Sequence, residues 1–373
     1  MIYGFPVNHL QNVLINSYVL QHKNSPFRSS MNIGRTKTSA FLLGFHKFLR
    51  QYSSIHSISP SQALQESIKA AVESKSYKKL PDLFPSLREA CHNPNLFLFL
   101  STFPVNVRTQ IVDEILQSLI SIRPRSRSQF VHVSLLFYTL QISSPFPLSL
   151  PVLQRILHSG YVPAPQTHLL LSSAWLKQRS QSKSVANILM DMRSIGYKPD
   201  SNICNYIISS LCATDELAEA FQVLKGMGGA GCFPDLESYG TLISAVTAVR
   251  QTDKAVELLK EMVLKVKLTP RQGTIINVVA ALRANREVRR AVEIIELLEK
   301  ESHNVGFESY ELLVEGCLEC REYILAGKVT MGMTERGFIP YIKVRQKVVE
   351  GLAGIGEAEF ASAVRRKFVG LKS

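Results

Sequence analysis

The chain has 373 residues, 46% of them apolar, and its 43 Lys and Arg against 30 Asp and Glu give a formal net charge of +13. This composition provides enough apolar material for an extended core and excludes a largely disordered chain. No apolar run approaches the ~20 residues that a membrane-spanning helix requires. The sequence therefore predicts no insertion into a membrane.

Residues 1–52 predict an organelle transit peptide. They contain six Lys and Arg, and the first acidic residue of the chain is Glu66. The stretch 41–50 combines apolar and basic residues and can form an amphipathic helix, as is typical of such leaders. Met31 is a second candidate start beside Met1, because it keeps this stretch.

The end of this leader resembles a mitochondrial processing site. Arg50 is followed by Gln, Tyr52 and Ser53, so we expect cleavage between Tyr52 and Ser53. The expected location is the mitochondrial matrix, and the chloroplast remains the alternative.

Residues 53–165 predict a helical N-terminal region made of degenerate repeats. Apolar residues fall at helical spacing in two segments, which are Ile68, Ala71 and Val72 in one and Ile111, Ile115 and Leu119 in the other. Gly160 and Pro163 stand 36 residues before Gly196 and Pro199. A weak repeat therefore precedes a much clearer series.

The clear series has a period of 35 or 36 residues and covers 166–341. Small residues recur at Val185, Ala220, Ala255, Ala291 and Ala326, and larger apolar residues at Met192, Met227, Met262, Leu298 and Met333. The prolines of the series are Pro199, Pro234, Pro270 and Pro340. The five units are 166–200, 201–235, 236–271, 272–306 and 307–341, with one extra residue between Met262 and Pro270.

Each unit has the apolar pattern of two helices. Gly196, Gly231 and Gly337 mark the end of the second helix, and Pro follows three residues later. A single helical hairpin of this size cannot bury its apolar face, whereas stacked hairpins can. We therefore predict an all-α, right-handed α-solenoid, completed by a partial repeat or capping helices over 342–373.

Residue patterns of catalysis and of metal binding are absent from the sequence. There is no Walker loop, no GxSxG and no set of metal-ligand spacings. The letters of GxGxxG occur at Gly226–Gly231, but they fall at the end of a predicted helix, where no pyrophosphate site can form. We predict a non-enzymatic chain with no cofactor, no metal and no small-molecule substrate.

The repeats resemble those of the pentatricopeptide repeat (PPR) family, in its plain repeat-only (P-type) subclass of plant organelles. Unit 201–235 matches the family pattern over its whole length. The matching residues are Asn205, Leu211, Cys212, Asp215, Glu216, Leu217, Glu219, Ala220, Met227, Gly231, Pro234 and Asp235.

The resemblance implies binding of single-stranded organellar RNA, one base per repeat, read by the fifth and last residues of each unit. Carried over to this chain, these pairs are Leu170/Asp200, Asn205/Asp235, Gly240/Arg271, Ile276/Gly306 and Glu311/Tyr341. Asn205/Asp235 resembles the family pair for uracil. The base-reading candidates are Asn205, Asp235, Asp200 and Arg271.

Two other positions depart from the family pattern. The second position, usually apolar, is Thr167, Asn202, Glu237, Gly273 and Glu308, and the thirteenth, often Lys, is Gln178, Ala213, Ala248, Ala284 and Glu319. Carboxylates oppose phosphates. The phosphate-contact candidates therefore lie in the basic flanks, and they are Arg123, Arg125, Arg127, Arg365, Arg366 and Lys367.

Two functions fit these observations. The first is an organellar RNA-binding protein that acts in transcript processing, stability or translation. The alternative is a protein-interaction scaffold on a mitochondrial ribosome or RNA-processing complex, because the repeats are close to neutral and their second positions are partly acidic.

Overall fold

The computed structural model describes residues 60–83, 96–122, 129–141, 146–161, 163–181 and 183–370. These ranges contain 17 α-helices and short turns, without a strand, which confirms the predicted all-α class. The helices are α1 Pro60–Glu73, α2 Leu80–Leu83, α3 Val105–Ser118, α4 Gln129–Gln141, α5 Ser149–His158, α6 Gln166–Arg179, α7 Val185–Ser194, α8 Ser201–Ala213, α9 Leu217–Gly226, α10 Leu236–Ala248, α11 Thr252–Lys260, α12 Gln272–Ala284, α13 Val288–Lys300, α14 Phe307–Glu319, α15 Tyr323–Glu335, α16 Ile342–Gly354 and α17 Ala358–Gly370. Among them, none combines the length and apolar character needed to cross a membrane.

The chain divides into two compact units. Among the described residues, the first consists of those before 183 together with 191–198, and the second of 183–190 together with 199–370. In the first unit, α4 packs against both α5 and α6. Trp175 of α6 is fully buried and meets Phe146 edge-on, with ring centroids 6.0 Å apart.

The first unit extends the repeat pattern toward the N-terminus. Gly160, after α5, adopts a left-handed φ of 79°, and the N–H of Tyr161 bonds to the carbonyl of Ile156. The N–H of Tyr197 bonds to the carbonyl of Met192 in the same way, 36 residues later. The same helix-ending turn therefore closes α5 and α7.

The second unit is a stack of helical hairpins in two layers. The first helices of the hairpins are α8, α10, α12, α14 and α16, and the second helices are α9, α11, α13, α15 and α17. Consecutive first helices pack side by side, and each second helix from α9 to α15 also packs on the first helix of the next hairpin. This arrangement confirms the predicted α-solenoid.

The recurring small and apolar residues form the core between the layers. Ala220, Ala255, Ala291 and Ala326 are buried within the second helices, where their small size allows close packing. Met227, Met262, Leu298 and Met333 are likewise buried near the helix ends. The positions that recur in the sequence are thus the positions that are buried between the helices.

Each hairpin from the second repeat onward turns through a residue with a left-handed backbone. These residues are Asp215, Arg250, Arg286, Arg321 and Gly356, with φ between 58° and 86°. The next residue donates its N–H to the carbonyl of the last buried residue of the first helix, as Glu216 does to Leu211 at 2.8 Å. This bond ends the helix and fixes the start of the next one.

The extra residue of the third repeat lies in a π-helix, Glu261–Lys265. In the second repeat the closing bond runs from the N–H of Cys232 to the carbonyl of Met227, over five residues. In the third repeat it runs from Leu268 to Met262, over six. The inserted residue is therefore absorbed locally, because a π-turn accommodates one more residue than an α-turn.

In the C-terminal region, where the sequence predicts a partial repeat or capping helices, the structure has a helical hairpin. Both α16 and α17 are full helices, joined by a turn at Gly356. Val344, Val348 and Leu352 of α16 are buried as in a first helix of a complete hairpin. The similarity to the PPR sequence pattern is weaker in this region. The spacing of the apolar residues is nevertheless kept, and this spacing determines the fold.

Candidate nucleic-acid interface

The candidate pair Asn205 and Asp235 forms a closed hydrogen-bonded cluster in the first-helix layer. The Asn205 Nδ2 donates to both carboxylate oxygens of Asp235, at 3.1 Å each. Ser238 Oγ donates to Asn205 Oδ1. Asn205 is 8% exposed, so its amide is held in one orientation by the carboxylate and the hydroxyl.

Asp235 also begins the next helix. Its Oδ1 accepts the N–H groups of Glu237 at 2.9 Å and Ser238 at 3.0 Å, and Ser238 Oγ accepts the N–H of Asp235 at 3.1 Å. This reciprocal capping box satisfies the exposed N–H groups at the N-terminus of α10. One carboxylate thus caps a helix and orients the Asn205 amide.

Asp200 has the same capping position at the start of α8. Its side chain accepts the N–H of Ile203 at 2.9 Å. In each of the five repeats the last residue is the N-cap of the following helix, but Arg271, Gly306 and Tyr341 make no side-chain cap. The candidate base-reading aspartates therefore have a structural role at these ends.

The hydrogen bond between Ser238 and Asn205 has no equivalent at the next step of the stack. The third residue of a repeat reaches the fifth residue of the preceding one, as Ser238 reaches Asn205. At the next step Thr274 faces Gly240, where an added Cβ would lie 3.7 Å from the Thr274 hydroxyl oxygen. Glycine offers no side-chain hydrogen bond there, so this step lacks the base-orienting pair.

Glu311, the fifth residue of its repeat, is buried, and only one of its two carboxyl oxygens accepts a hydrogen bond. Its Oε1 accepts the N–H of Tyr341 at 3.3 Å, and Oε2 has no partner among the described residues. Glu311 is 7% exposed, and burial raises the pKa of this carboxyl. The position holds a carboxyl group, which is unlike the amide of Asn205.

The candidate Arg271 lies beside a carboxylate. Its guanidinium is 3.8 Å from Glu237 Oε2, and both side chains are exposed. Glu237 is the second residue of the same repeat, so the edge on which RNA is expected carries a compensated charge. Exposed pairs of this kind contribute little to stability.

Arg283 pairs with two further carboxylates on the first-helix layer. It contacts Glu315 Oε2 at 2.6 Å through NH1 and Glu319 Oε2 at 3.0 Å through Nε. The bond from Arg283 lowers the pKa of the Glu319 carboxyl. Glu319 stands at the thirteenth position, where the family often has Lys.

The basic candidates at the C-terminus lie on the other layer. Arg365 and Arg366 are exposed on α17, a second helix, and Lys367 is 3.6 Å from Glu335 of α15. They are not brought together with Asn205 and Asp235. Arg123, Arg125, Arg127, Tyr52 and Ser53 lie outside the described residues.

The sixth hairpin adds polar residues that the sequence reasoning missed. Lys343 and Gln346 occupy the second and fifth positions of α16, and both are exposed. Their spacing of 35 residues from Glu308 and Glu311 is the signal that would have found them.

Neither the GxGxxG letters nor the cysteines of the described ranges form a binding site. A Cβ on Gly226 would lie 2.6 Å from Val185 Cβ, so this glycine allows two helices to approach. Burial raises the pKa of the Cys317 thiol to about 12, which makes it an unreactive core residue. No group of His, Cys, Asp and Glu that could hold a metal ion is found in the described ranges.

Comparison with known proteins identifies the family. Residues 187–248 match the model of a pentatricopeptide repeat domain, and residues 237–265 match that of a PPR repeat. The chain is 55% identical over 317 residues to pentatricopeptide repeat-containing protein At1g06270 of Arabidopsis thaliana, covering 85% of this chain and 92% of the relative. The chain therefore belongs to the pentatricopeptide repeat family.

More distant similarities extend to other repeat proteins. The chain is 22% identical over 300 residues to small ribosomal subunit protein mL103 of A. thaliana, covering 77% of this chain and 71% of mL103. The crystal structure of maize PPR10 aligns at 13% identity and a TM-score of 0.38, covering 90% of this chain and 57% of PPR10. PPR10 in complex with an 18-nt psaJ RNA element aligns at 13% identity and a TM-score of 0.32, covering 98% and 59%. The chain thus spans less than two thirds of the length of PPR10.

Proposed function

We propose that this chain is a non-catalytic organellar protein that binds single-stranded RNA through its first-helix layer, and acts in transcript processing, stability or translation. The observation that carries the proposal is the Asn205–Asp235–Ser238 cluster. It presents one oriented amide on a helical repeat scaffold of a family in which repeats read single bases.

The chemistry of the cluster suits a uracil edge. A side-chain amide has two N–H donors and an oxygen with two acceptor sites. Asp235 and Ser238 occupy part of this capacity, and the rest is available to a base that offers one donor beside one acceptor. Because the carboxylate fixes the amide orientation, little ordering cost remains at binding.

Electrostatics restrict the RNA contact to part of the stack. Glu237 and Glu308 carry carboxylates, and around Arg283 one guanidinium faces the two carboxylates of Glu315 and Glu319, so none of these groups attracts phosphate. Binding therefore depends on a few oriented contacts, and the affinity is expected to be modest.

We propose the mitochondrial matrix as the location, with the chloroplast as the alternative. The acid-poor leader and the processing-like sequence before Ser53 support this proposal. Import into isolated mitochondria, followed by N-terminal sequencing, is expected to yield a chain that begins at Ser53. Protection from protease in chloroplasts alone would favour the alternative.

A second candidate function is a scaffold within a mitochondrial ribosome or an RNA-processing complex. Two observations favour it, namely the similarity to mL103, which is named as a small ribosomal subunit protein, and the acidic second positions Glu237 and Glu308. A scaffold requires the stacked surface but no base reading.

Ultraviolet crosslinking in intact organelles separates these functions. We expect the tagged full chain to yield covalent RNA adducts on purification under denaturing conditions, and the Asn205→Ala variant to yield fewer at uridine. Recovery of ribosomal proteins in native complexes, together with an absence of RNA adducts, would favour the scaffold.

A further inference from the structure

We propose that Arg250, Arg286 and Arg321 form a docking ridge for an acidic helix of a partner protein. They lie in the turns inside three successive hairpins, directly after α10, α12 and α14. The partner helix carries carboxylates at seven-residue intervals along one face. This inference goes beyond the proposed function, because the docking ridge and the cluster around Asn205 lie at opposite ends of the first helices.

The three arginines adopt a backbone conformation that their residue type does not favour. Their φ values are 58°, 61° and 59°, in the left-handed region where a side chain is strained. Gly356 has the equivalent position in the sixth hairpin, and glycine adopts a positive φ without this strain. Arginine is therefore not the residue that the turn itself requires, and its recurrence indicates a use for the side chain.

The guanidinium groups of the docking ridge are available to a partner. All three side chains are exposed, and none of them forms a salt bridge or a side-chain hydrogen bond with a described residue. The nearby carboxylates of the same turns already have partners. Asp253 pairs with Arg290 at 2.9 Å, Glu287 pairs with the same arginine, and Glu322 pairs with Arg289 at 3.0 Å.

Contacts between successive turns hold the docking ridge in line. Asn285 Nδ2 donates to the Arg250 carbonyl at 3.3 Å, which joins the third hairpin to the fourth. The pair of Arg289 and Glu322 joins the fourth hairpin to the fifth. Because packed helices lie about 8–10 Å apart, we expect the three arginines to follow one another at about this interval.

The interval matches a regular feature of an α-helix. Residues seven apart lie on one face of a helix and are separated by about 10.5 Å along its axis. Three carboxylates at this spacing can each meet one arginine of the docking ridge. The planar guanidinium suits such a contact, since it can donate two parallel hydrogen bonds to one carboxylate.

The positive charge is confined to these three turns. Segments 248–254, 284–290 and 319–325 together contain six Lys and Arg and four Asp and Glu, which leaves a net charge of +2. The equivalent segment before them, 213–219, has three carboxylates and no cation, and the one after them, 354–360, has two and no cation. A long polyanion such as an RNA duplex would meet these carboxylates at both ends, whereas a helix with three carboxylates ends before them.

Exposed apolar side chains accompany the docking ridge. Val249 precedes Arg250 and is 47% exposed, and Ile324, three residues after Arg321, is 42% exposed. Ile355 in the next turn is 48% exposed. Arginine and apolar groups together are typical of protein interfaces, and apolar groups gain nothing from a phosphate backbone. The observations therefore favour an amphipathic, acidic protein helix over nucleic acid.

The test measures binding of the full chain to two fluorescein-labelled helical peptides of identical composition by anisotropy. The first peptide carries three Glu at seven-residue intervals, each beside a Leu. In the second the Glu are five residues apart, so that successive carboxylates point about 140° apart. We expect the first peptide to bind about tenfold more tightly, because only this peptide engages all three arginines at once.

A glycine variant separates docking from folding. Arg250→Gly with Arg286→Gly and Arg321→Gly is expected to weaken binding of the first peptide by about tenfold. The same variant is expected to melt at no lower temperature than the wild type, because glycine relieves the strain at each turn. A purely structural role of the arginines would instead lower the melting temperature and leave peptide binding unchanged.

A matched variant controls for the loss of charge. Lys225→Ala with Lys260→Ala and Lys300→Ala removes three exposed cations from second helices, and it is expected to leave peptide binding within about twofold. Oligouridine binding by the glycine variant is also expected to stay within about twofold. The 13 residues of α10 separate the two sites by about 20 Å, which exceeds the Debye length of about 8 Å at physiological salt.

The outcomes distinguish the docking ridge from the proposed function. Equal binding of the two peptides, or binding of neither, would rule out the docking ridge whatever the result with oligouridine. Binding of an RDNA-free RNA duplex that is lost in the glycine variant, with neither peptide bound, would assign the arginines to nucleic acid and overturn the proposal. Preference for the first peptide by a chain that binds no RNA would support the docking ridge and refute the proposed function.

Discussion

At the scale of single residues, the candidate base-reading aspartates are also helix caps. Asp235 accepts two backbone N–H groups of α10 and holds the Asn205 amide with the same carboxylate. Asp200 caps α8. A mutation at either site therefore changes stability as well as RNA contact, and the two effects have to be measured separately.

Asp235→Ala is expected to lower the free energy of unfolding by about 1–2 kcal/mol, because it removes an N-cap and leaves the Asn205 amide without its acceptor. Arg271→Ala is the matched control, since Arg271 occupies the same N-cap position without a side-chain cap. Urea denaturation measures both. Equal losses in the two variants would contradict the capping role.

Glu311 and Glu319 are expected to respond to pH in opposite directions. Burial raises the pKa of Glu311 above its ordinary 4.5, so the folded state is stabilised below that pH and loses stability as the pH rises through the folded value. The bond from Arg283 lowers the pKa of Glu319, so its contribution is present above 4.5 and is lost as the pH falls.

Glutamine substitutions test these signs. At pH 7, Glu311→Gln is expected to be more stable than the wild type, because the amide, unlike the buried carboxyl, does not ionise. At pH 4 this gain in stability over the wild type is expected to be smaller. Glu319→Gln is expected to be less stable at pH 7, with a smaller difference at pH 4. Thermal melts at both pH values measure the four differences, and matching trends in the two variants would be inconsistent with this account.

At the scale of the helices, the repeats are defined by how each helix ends. Left-handed residues such as Arg250 and Arg286 close the first helices, and Gly231, Lys267, Ser302 and Gly337 close the second ones. The third repeat has these left-handed residues at Arg250 and Lys267 although it is one residue longer. The π-helix at Glu261–Lys265 accommodates the additional residue.

Deletion of Lys265 is therefore expected to preserve the fold. It removes an exposed residue of the π-helix and restores a 35-residue unit, with Met262 and Pro270 kept as anchors. Circular dichroism is expected to show unchanged helix content and a cooperative melt. Deletion of the exposed Asn277 is the control, since it rotates the rest of α12 by about 100° and takes Leu282 out of the core.

Much of the helical architecture could be predicted because it depends on local spacing. Ala220, Met227 and Gly231 each recur with the period of the hairpin, and their burial or backbone geometry follows that period. Left-handed turns at Lys267 and Ser302 could not be predicted, because these residue types do not favour positive φ and only the surrounding packing imposes it.

Less of the candidate site could be predicted. The resemblance to the family paired Asn205 with Asp235, but the role of Ser238 depends on a contact between successive repeats, which no pattern within one repeat reveals. The same holds for Arg283, which reaches Glu315 and Glu319 in the following repeat. The partner of Arg271 at Glu237 likewise depends on three-dimensional placement.

At the scale of the whole molecule, the net charge of +13 overstates the attraction to nucleic acid. Six of the basic residues lie in the predicted leader, and several cations of the stack are paired with carboxylates within or between repeats. A chain of this kind is expected to bind RNA through a few oriented contacts rather than through a uniformly basic groove.

The measurement that tests the central claim most directly is titration of the full chain with labelled oligouridine, oligoadenosine and duplex RNA of equal length at several salt concentrations. We predict the tightest binding to oligouridine, weaker binding to oligoadenosine and the weakest to the duplex, whose bases are not accessible to side chains. Asn205→Ala is expected to abolish the preference for uridine while the fold is retained. Equal binding to all three RNAs by the wild-type chain, or no binding to any of them, would contradict the account.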